Sequence, residues 1–148
     1  MEQEIAISAA KASDVPEIKK LLVASGLPVA GVDAHWKTFV VARDRGHIVA
    51  CGGSEPYATV ALIRSVAVAS DHRGSGLGRR IVRQLLDRLA SRGLRDFYLL
   101  TTTAEEYFKK RGFKTVALEE VHPLLLQSRE FQDACPANAV CMRLSMLT

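Results

Sequence analysis

Apolar and polar positions change their period several times along this chain, and each change marks an element. Residues 58–69 are mostly small, apolar or β-branched, and the run Leu62-Ile63-Arg64-Ser65-Val66-Ala67-Val68-Ala69 reads as a strand. From Leu77 the period switches. Leu77, Ile81, Leu85 and Leu89 follow at successive i+4 steps with Val82 and Leu86 beside them, the stripe of a core-facing helix. Upstream, Glu4 to Ala9 alternates through Ile5 and Ile7 as a strand. Ser13 is expected to cap a helix carrying Val15, Ile18, Leu21 and Leu22, which Gly26 and Pro28 end. Gly31 to Lys37 reads as a loop or short helix, and Phe39 to Arg43 and Ile48 to Gly53 as strands joined through Arg45-Gly46. Downstream the pattern predicts a strand from Phe97 to Thr103, a helix from Ala104 to Arg111, a strand from Thr115 to Leu118 and a last strand from Ala139 to Met146. With no repeat, low-complexity tract or linker composition, residues 1–148 read as one mixed α/β domain.

The junction between the strand ending near Ala69 and the helix starting at Leu77 holds Arg73-Gly74-Ser75-Gly76-Leu77-Gly78. A helix start presents unpaired N–H groups and a positive dipole end, so it stabilises an anionic oxygen. Glycines there let a pyrophosphate approach the backbone. A P-loop requires Lys after its last glycine, and Arg79 stands there. A dinucleotide fingerprint requires a third glycine at position 79 and an acidic residue at the end of the next strand, whereas Asp96 precedes that strand.

What remains is Arg-x-x-Gly-x-Gly, formed by Arg73, Gly76 and Gly78, which resembles the acyl-CoA pyrophosphate loop of the GNAT superfamily of N-acyltransferases. Gly112-Phe113, after a helix ending in Lys109-Lys110-Arg111, reads as a C-cap and resembles that family's closing motif. The pieces Leu62-Ile63-Arg64-Ser65, Leu99-Leu100-Thr101-Thr102-Thr103-Ala104-Glu105 and Ser128-Arg129-Glu130-Phe131 with Cys135-Pro136 resemble its arsenic-resistance-associated branch. The resemblance spans nearly the whole chain. It implies a central mixed β-sheet of about six to seven strands flanked by helices. It also implies transfer of an acetyl group from acetyl-CoA, the cosubstrate, to the amine of a small molecule, such as an arsenic-containing or glutamate-like amino acid. Transfer is direct, in a ternary complex, with no metal and with no cysteine as acyl carrier.

The family's arrangement assigns the cosubstrate to Val66, Ala67 and Val68 along the pantetheine arm, with a backbone N–H near Val68 meeting the carbonyl oxygen. Arg73, Gly74, Ser75, Gly76, Leu77, Gly78 and Arg79 take the phosphates, and Thr101 and Thr103 lie beside them; Thr101 replaces a common Asn. The leaving-thiolate acid departs from the usual pattern. Phe108 stands where Tyr is common, and Tyr107 precedes it, one helical step or about 100° away. Tyr107 is therefore either the acid or a packing aromatic, and without an acid the thiolate leaves unaided. Glu55, in Gly52-Gly53-Ser54-Glu55-Pro56-Tyr57, is the candidate base, expected in a turn facing the pocket. His35, His47, His72 and His122 compete with it and show no evident partner. Arg64 and Arg129 are candidates for an acidic group on the acceptor, against ion pairs with Glu55 and with Glu130 or Asp133. The alternative to an enzyme is a non-catalytic acyl-CoA-binding or regulatory domain.

Composition narrows the setting. At 148 residues and 48% hydrophobic content the chain builds a full core and is short for two domains. It holds no ~20-residue apolar stretch, and its start, Met1-Glu2-Gln3-Glu4, is acidic where a secretory signal is basic, so no membrane partner and a cytoplasmic location are expected. Cys51, Cys135 and Cys141 lack metal-type spacing and suit a reducing compartment, as core thiols by default and with a reactive Cys135 as the alternative. The net charge of +4 concentrates in Arg73, Arg79, Arg80, Arg83, Arg88, Arg92 and Arg95. Because Arg79, Arg83 and Asp87 form a solvated helix face without aromatics, the arginines read as phosphate contacts and solubilising charge, with no nucleic-acid partner. Whether Leu124 to Leu126 line a pocket or a homodimer interface stays open.

Overall fold

The computed structural model of the chain describes residues 5–101, 104–128 and 139–146. Seven strands form one mixed sheet: β1 (Ile7–Ala9), β2 (Val40–Asp44), β3 (His47–Tyr57), β4 (Val60–Val68), β5 (Asp96–Thr101), β6 (Lys114–Val116) and β7 (Val140–Ser145), in the order β1-β2-β3-β4-β5-β7-β6. The helices are α1 (Val15–Ala24), α2 (Val32–His35), α3 (Leu77–Ser91) and α4 (Glu105–Lys109), with short 3₁₀ turns between elements. The fold is the mixed α/β domain that the residue pattern predicts, with the helix-flanked mixed sheet that the family resemblance implies.

Alternation along the strands divides the core. Val40 and Ala42 face α3, whose buried stripe is Leu77, Ile81, Val82, Leu85 and Leu89, while Val41 and Phe39 face Ile18, Leu21 and Leu22 of α1. Fully burying one such side chain contributes roughly 1.5–3 kcal/mol, so the two layers fix the sheet between two helices. Arg45 and Gly46, both at positive φ, form the two-residue turn between β2 and β3 that the sequence signals.

Three local expectations are corrected. Ser13 does not cap α1; it lies in a 3₁₀ turn, Ala12–Asp14, and the Asp14 carboxylate accepts from the Lys11 N–H at 2.8 Å instead. The helix expected over 104–111 is the single turn Glu105–Lys109. Ser54 to Tyr57, expected as part of the turn between the third and fourth strands, continues β3: Glu55 pairs with Leu62 and Pro56 with Ala61 of β4. Pro56 is tolerated because β2 pairs with β3 only as far as Gly52, which leaves the other edge of β3 free where proline lacks its N–H.

The relation between β4 and β5 creates the site. They pair in parallel only at Val60↔Asp96, Ala61↔Phe97 and Leu62↔Tyr98, and then diverge. On its other edge β4 carries a bulge. Cys51 pairs with Ala67 and Gly53 with Arg64, so Ser65 and Val66 oppose the single residue Gly52, and Ser65 adopts φ +60°. A bulge of this kind bends its strand and raises its twist. The bend opens a cleft of about 760 Å³ between β4 and β5.

Candidate active site

One end of the cleft is the cradle. Gly76 is the N-cap of α3 with φ +83°, and Gly74 is at +82°. The first helical partner in α3 is formed by the Arg80 N–H on the Gly76 carbonyl, leaving the preceding N–H groups of the helix start to face an anion. Val66, Ala67, Val68, Arg73, Gly74, Gly76, Leu77, Gly78, Arg79 and Thr101 all line the cleft. Ser75 is not part of that wall; its hydroxyl donates to the His72 carbonyl at 2.5 Å and holds the loop from within. Thr103, Arg129 and Cys135 lie outside the described residues. Arg73 donates through Nε to the Val68 carbonyl at 3.2 Å. Because the Ala69 N–H bonds to Val49 of β3, strand alternation turns the Val68 N–H toward the splay.

At mid-cleft stands α4. Its end is fixed by Gly112 at φ +96°, with the Phe113 N–H on the Phe108 carbonyl and the Gly112 N–H on the Lys109 carbonyl. The cap sets the Phe108 and Phe113 rings 5.7 Å apart edge to face, and both are buried. Phe108 packs on Phe113 and Tyr107 stands one helical step away; both line the cleft, and the Tyr107 hydroxyl is buried with no hydrogen-bond partner among the described residues. The Thr101 hydroxyl accepts from the Ala104 N–H at 3.0 Å, so this residue also caps the start of the α4 turn.

The far end holds an ion pair. Glu55 and Arg64 have side chains 1% and 0% exposed and meet at 2.6 Å; Tyr57 donates to the same carboxylate at 2.5 Å, and Arg64 Nε donates to the Ser65 hydroxyl at 2.9 Å. Burial alone pushes the Glu55 carboxyl up, but hydrogen bonds from Tyr57, Arg64 and Ser128 outweigh it and hold the group below its ordinary value. Burial and the neighbouring carboxylate raise Tyr57. Glu55 thus sits inside the sheet, not in an open turn, and the Arg64 guanidinium is enclosed with it.

Three of the four histidines have partners the sequence does not reveal. His72 lies between Asp44 and Asp71, each at 2.9 Å, which raises its pKa. His35 approaches Glu55 at 3.6 Å, and His122 accepts from the Leu124 N–H. Burial pushes the Cys51 thiol up to about 12 and Cys141 up to about 11, which keeps both protonated and inert. The residues missed from sequence are Ser25 to Pro28, the loop after α1 that closes one side of the cleft, and Arg111. Its i+4 spacing from Tyr107 was the available signal for Arg111.

Comparison with known proteins agrees with this geometry. The pattern described as the Acetyltransferase (GNAT) domain matches residues 35–115. An uncharacterized N-acetyltransferase of Chlorobaculum tepidum is 27% identical over 122 residues, covering 80% of this chain and 75% of that protein. An amino-acid acetyltransferase of Ralstonia nicotianae is 32% identical over 85 residues, 56% of this chain, which spans about a fifth of that longer protein (19%). The structure of N-acetylglutamate synthase from Neisseria gonorrhoeae complexed with coenzyme A and N-acetyl-glutamate superposes with a TM-score of 0.84 at 20% identity, covering 100% of this chain and 36% of that one.

Proposed function

The chain belongs to the acetyltransferase (GNAT) domain family, with acetyl-CoA as its cosubstrate, and from that membership we propose that its acceptor is the amine of a small acidic amino acid, attacked directly within a ternary complex. The observation that carries this reading is the charge of the cleft. Among the described residues its wall holds Arg73, Arg79 and Arg111 and no Asp or Glu, while Arg64, also in the wall, is paired with the buried Glu55. Anions are favoured throughout such a wall. Amino-acid acetyltransferase and N-acetylglutamate synthase, the names of the relatives above, fit an amino-acid acceptor. The sequence pieces resembling the arsenic-resistance-associated branch extend the proposal to an amino acid bearing an arsenic oxyacid in place of its side-chain carboxylate.

In this reading the cradle N–H groups, Arg73 and Arg79 hold the CoA phosphates, Val66 to Val68 guide the pantetheine arm, and Thr101 and Thr103 flank it. The amine nitrogen bonds to the thioester carbon. The carbonyl oxygen, becoming anionic, meets the Val68 N–H. The C–S bond then breaks, its electron pair goes to sulfur, and Tyr107 gives the sulfur its proton while the nitrogen's proton passes to water. Glu55 anchors Arg64 and with it the bulge of β4, which leaves Arg129 to meet the acceptor's acidic group. The Tyr107 side chain in the cleft wall weighs against the non-catalytic alternative. The test is release of CoA thiol from acetyl-CoA with glutamate, an arsenic-bearing analogue, glutamine and leucine. At least about tenfold higher kcat/KM for the acidic acceptors is expected, worth about 1.4 kcal/mol of transition-state binding; equal rates with neutral ones overturn the acceptor assignment.

A further inference from the structure

We infer that Arg111 is a positioning residue for acyl transfer, acting through Tyr107; the inference rests on the reading of Tyr107 as the acid that protonates the leaving thiolate. Arg111 lies four residues after Tyr107, in the turn that follows α4, and lines the same cleft. Its guanidinium carbon is 4.7 Å from the centre of the Tyr107 ring. Its Nε is buried and, among the described residues, has no hydrogen-bond partner, as is also true of the Tyr107 hydroxyl. The carboxylates nearest in sequence are engaged elsewhere, Glu105 with Thr115 and Lys109, and Glu106 with Lys109. Arg111 is therefore not held by a structural ion pair with its own helix turn.

A cation over an aromatic face is attracted by the ring and is worth more where water is excluded. Here the ring is contacted on two sides, by the guanidinium and by the Phe108 ring edge to face at 5.1 Å. That contact fixes the ring plane and leaves the hydroxyl directed across the cleft toward Gly78, where a β-carbon would lie 3.1 Å from it. The charge that appears on the phenol oxygen as its proton moves to sulfur is formed beside a cation, so the same contact that orients the acid also stabilises its conjugate base during transfer. Two unpartnered donors in one wall of a cleft are the kind of exception that a buried polar group makes for function.

The experiment is a double-mutant cycle on the full chain, with Tyr107→Phe, Arg111→Met, the combination, and Arg111→Lys. Turnover of acetyl-CoA and calorimetric binding of acetyl-CoA are both measured. Tyr107→Phe and Arg111→Met are each expected to lower kcat about tenfold or more, with acetyl-CoA affinity held within about twofold. The combination should be no slower than Tyr107→Phe alone, and Arg111→Lys should recover part of the loss, because residues acting as one unit are not additive. If Tyr107→Phe is slow while Arg111→Met is not, or if the two losses multiply, the coupling is absent and the inference falls while the acid assignment stands. Loss of acetyl-CoA binding in Arg111→Met makes Arg111 a cosubstrate ligand and also overturns it. A full rate in Tyr107→Phe removes the acid assignment, and the inference with it.

Discussion

The Tyr107 hydroxyl lies 3.1 Å from the point a β-carbon on Gly78 would occupy, so the second residue of α3 and the outer face of α4 meet across the cleft. Gly78 does not have a positive φ, and alanine fits its backbone. Gly78→Ala should then raise helix stability by about 1 kcal/mol while its methyl displaces the hydroxyl by a few tenths of an ångström. The expected result is a higher melting temperature together with a severalfold lower kcat. A variant as active as the parent would mean that the hydroxyl can move without consequence.

Gly76 has a different requirement. A β-carbon there meets nothing within 4 Å, but φ is +83°. Within the protein its demand is conformational, which adds to the close approach of a pyrophosphate expected from the sequence. Gly76→Ala should cost about 1–2 kcal/mol of stability for the left-handed backbone and weaken acetyl-CoA binding as the loop relaxes. Gly76→Asn, which tolerates that region better, should retain more of both. Calorimetry and chemical denaturation test the order Gly, Asn, Ala; tighter binding in the alanine variant than in the asparagine one would contradict it.

The element order was legible because its signals are local: the i+4 stripe of Leu77 to Leu89, the short apolar run of Phe39 to Ala42, and Arg45-Gly46 between two strands. The glycine turn ahead of α3 was legible for the same reason. The divergence of β4 and β5 past Leu62↔Tyr98 depends on a bulge set by long-range register, which periodicity does not encode. Glu55, expected in a turn, lies in β3 because pairing with β4 continues to Tyr57 on an edge where Pro56 needs no N–H toward β2. The direction of Tyr107 follows from a contact between Phe108 and Phe113 that becomes visible once the Gly112 cap has formed.

Glu55 and Arg64 form a pair in which each buried charge depends on the other. Glu55→Gln takes the carboxylate from the enclosed guanidinium and should destabilise the fold by about 3–5 kcal/mol, whereas Glu55→Leu with Arg64→Met removes both charges and should recover most of that loss. Because the folded Glu55 pKa is lowered, its contribution is present above the unfolded carboxyl pKa and disappears as pH falls through the folded value. Urea denaturation at neutral and acidic pH checks both statements. If the double variant is no more stable than Glu55→Gln, loss of packing and not of charge explains the effect.

His72 links the cradle to the hairpin between β2 and β3, since its ring nitrogens contact Asp44 and Asp71 while its carbonyl accepts from Ser75. The hydrogen bond to Asp44, then that to Asp71, raises its pKa above the ordinary 6.5. A raised folded pKa contributes stability that is complete below the unfolded value and is lost as pH rises through the folded one. The advantage of the parent over His72→Gln should therefore be greatest below pH 6.5 and shrink above it. By NMR the His72 ring should titrate above 6.5 and move down in Asp44→Asn. Acetyl-CoA, whose phosphates bring further negative charge to a cradle that His72 borders, should move the midpoint higher still. A ring that titrates at or below 6.5 in the free protein means the two carboxylates do not hold it; a midpoint unmoved by acetyl-CoA means the phosphates lie elsewhere.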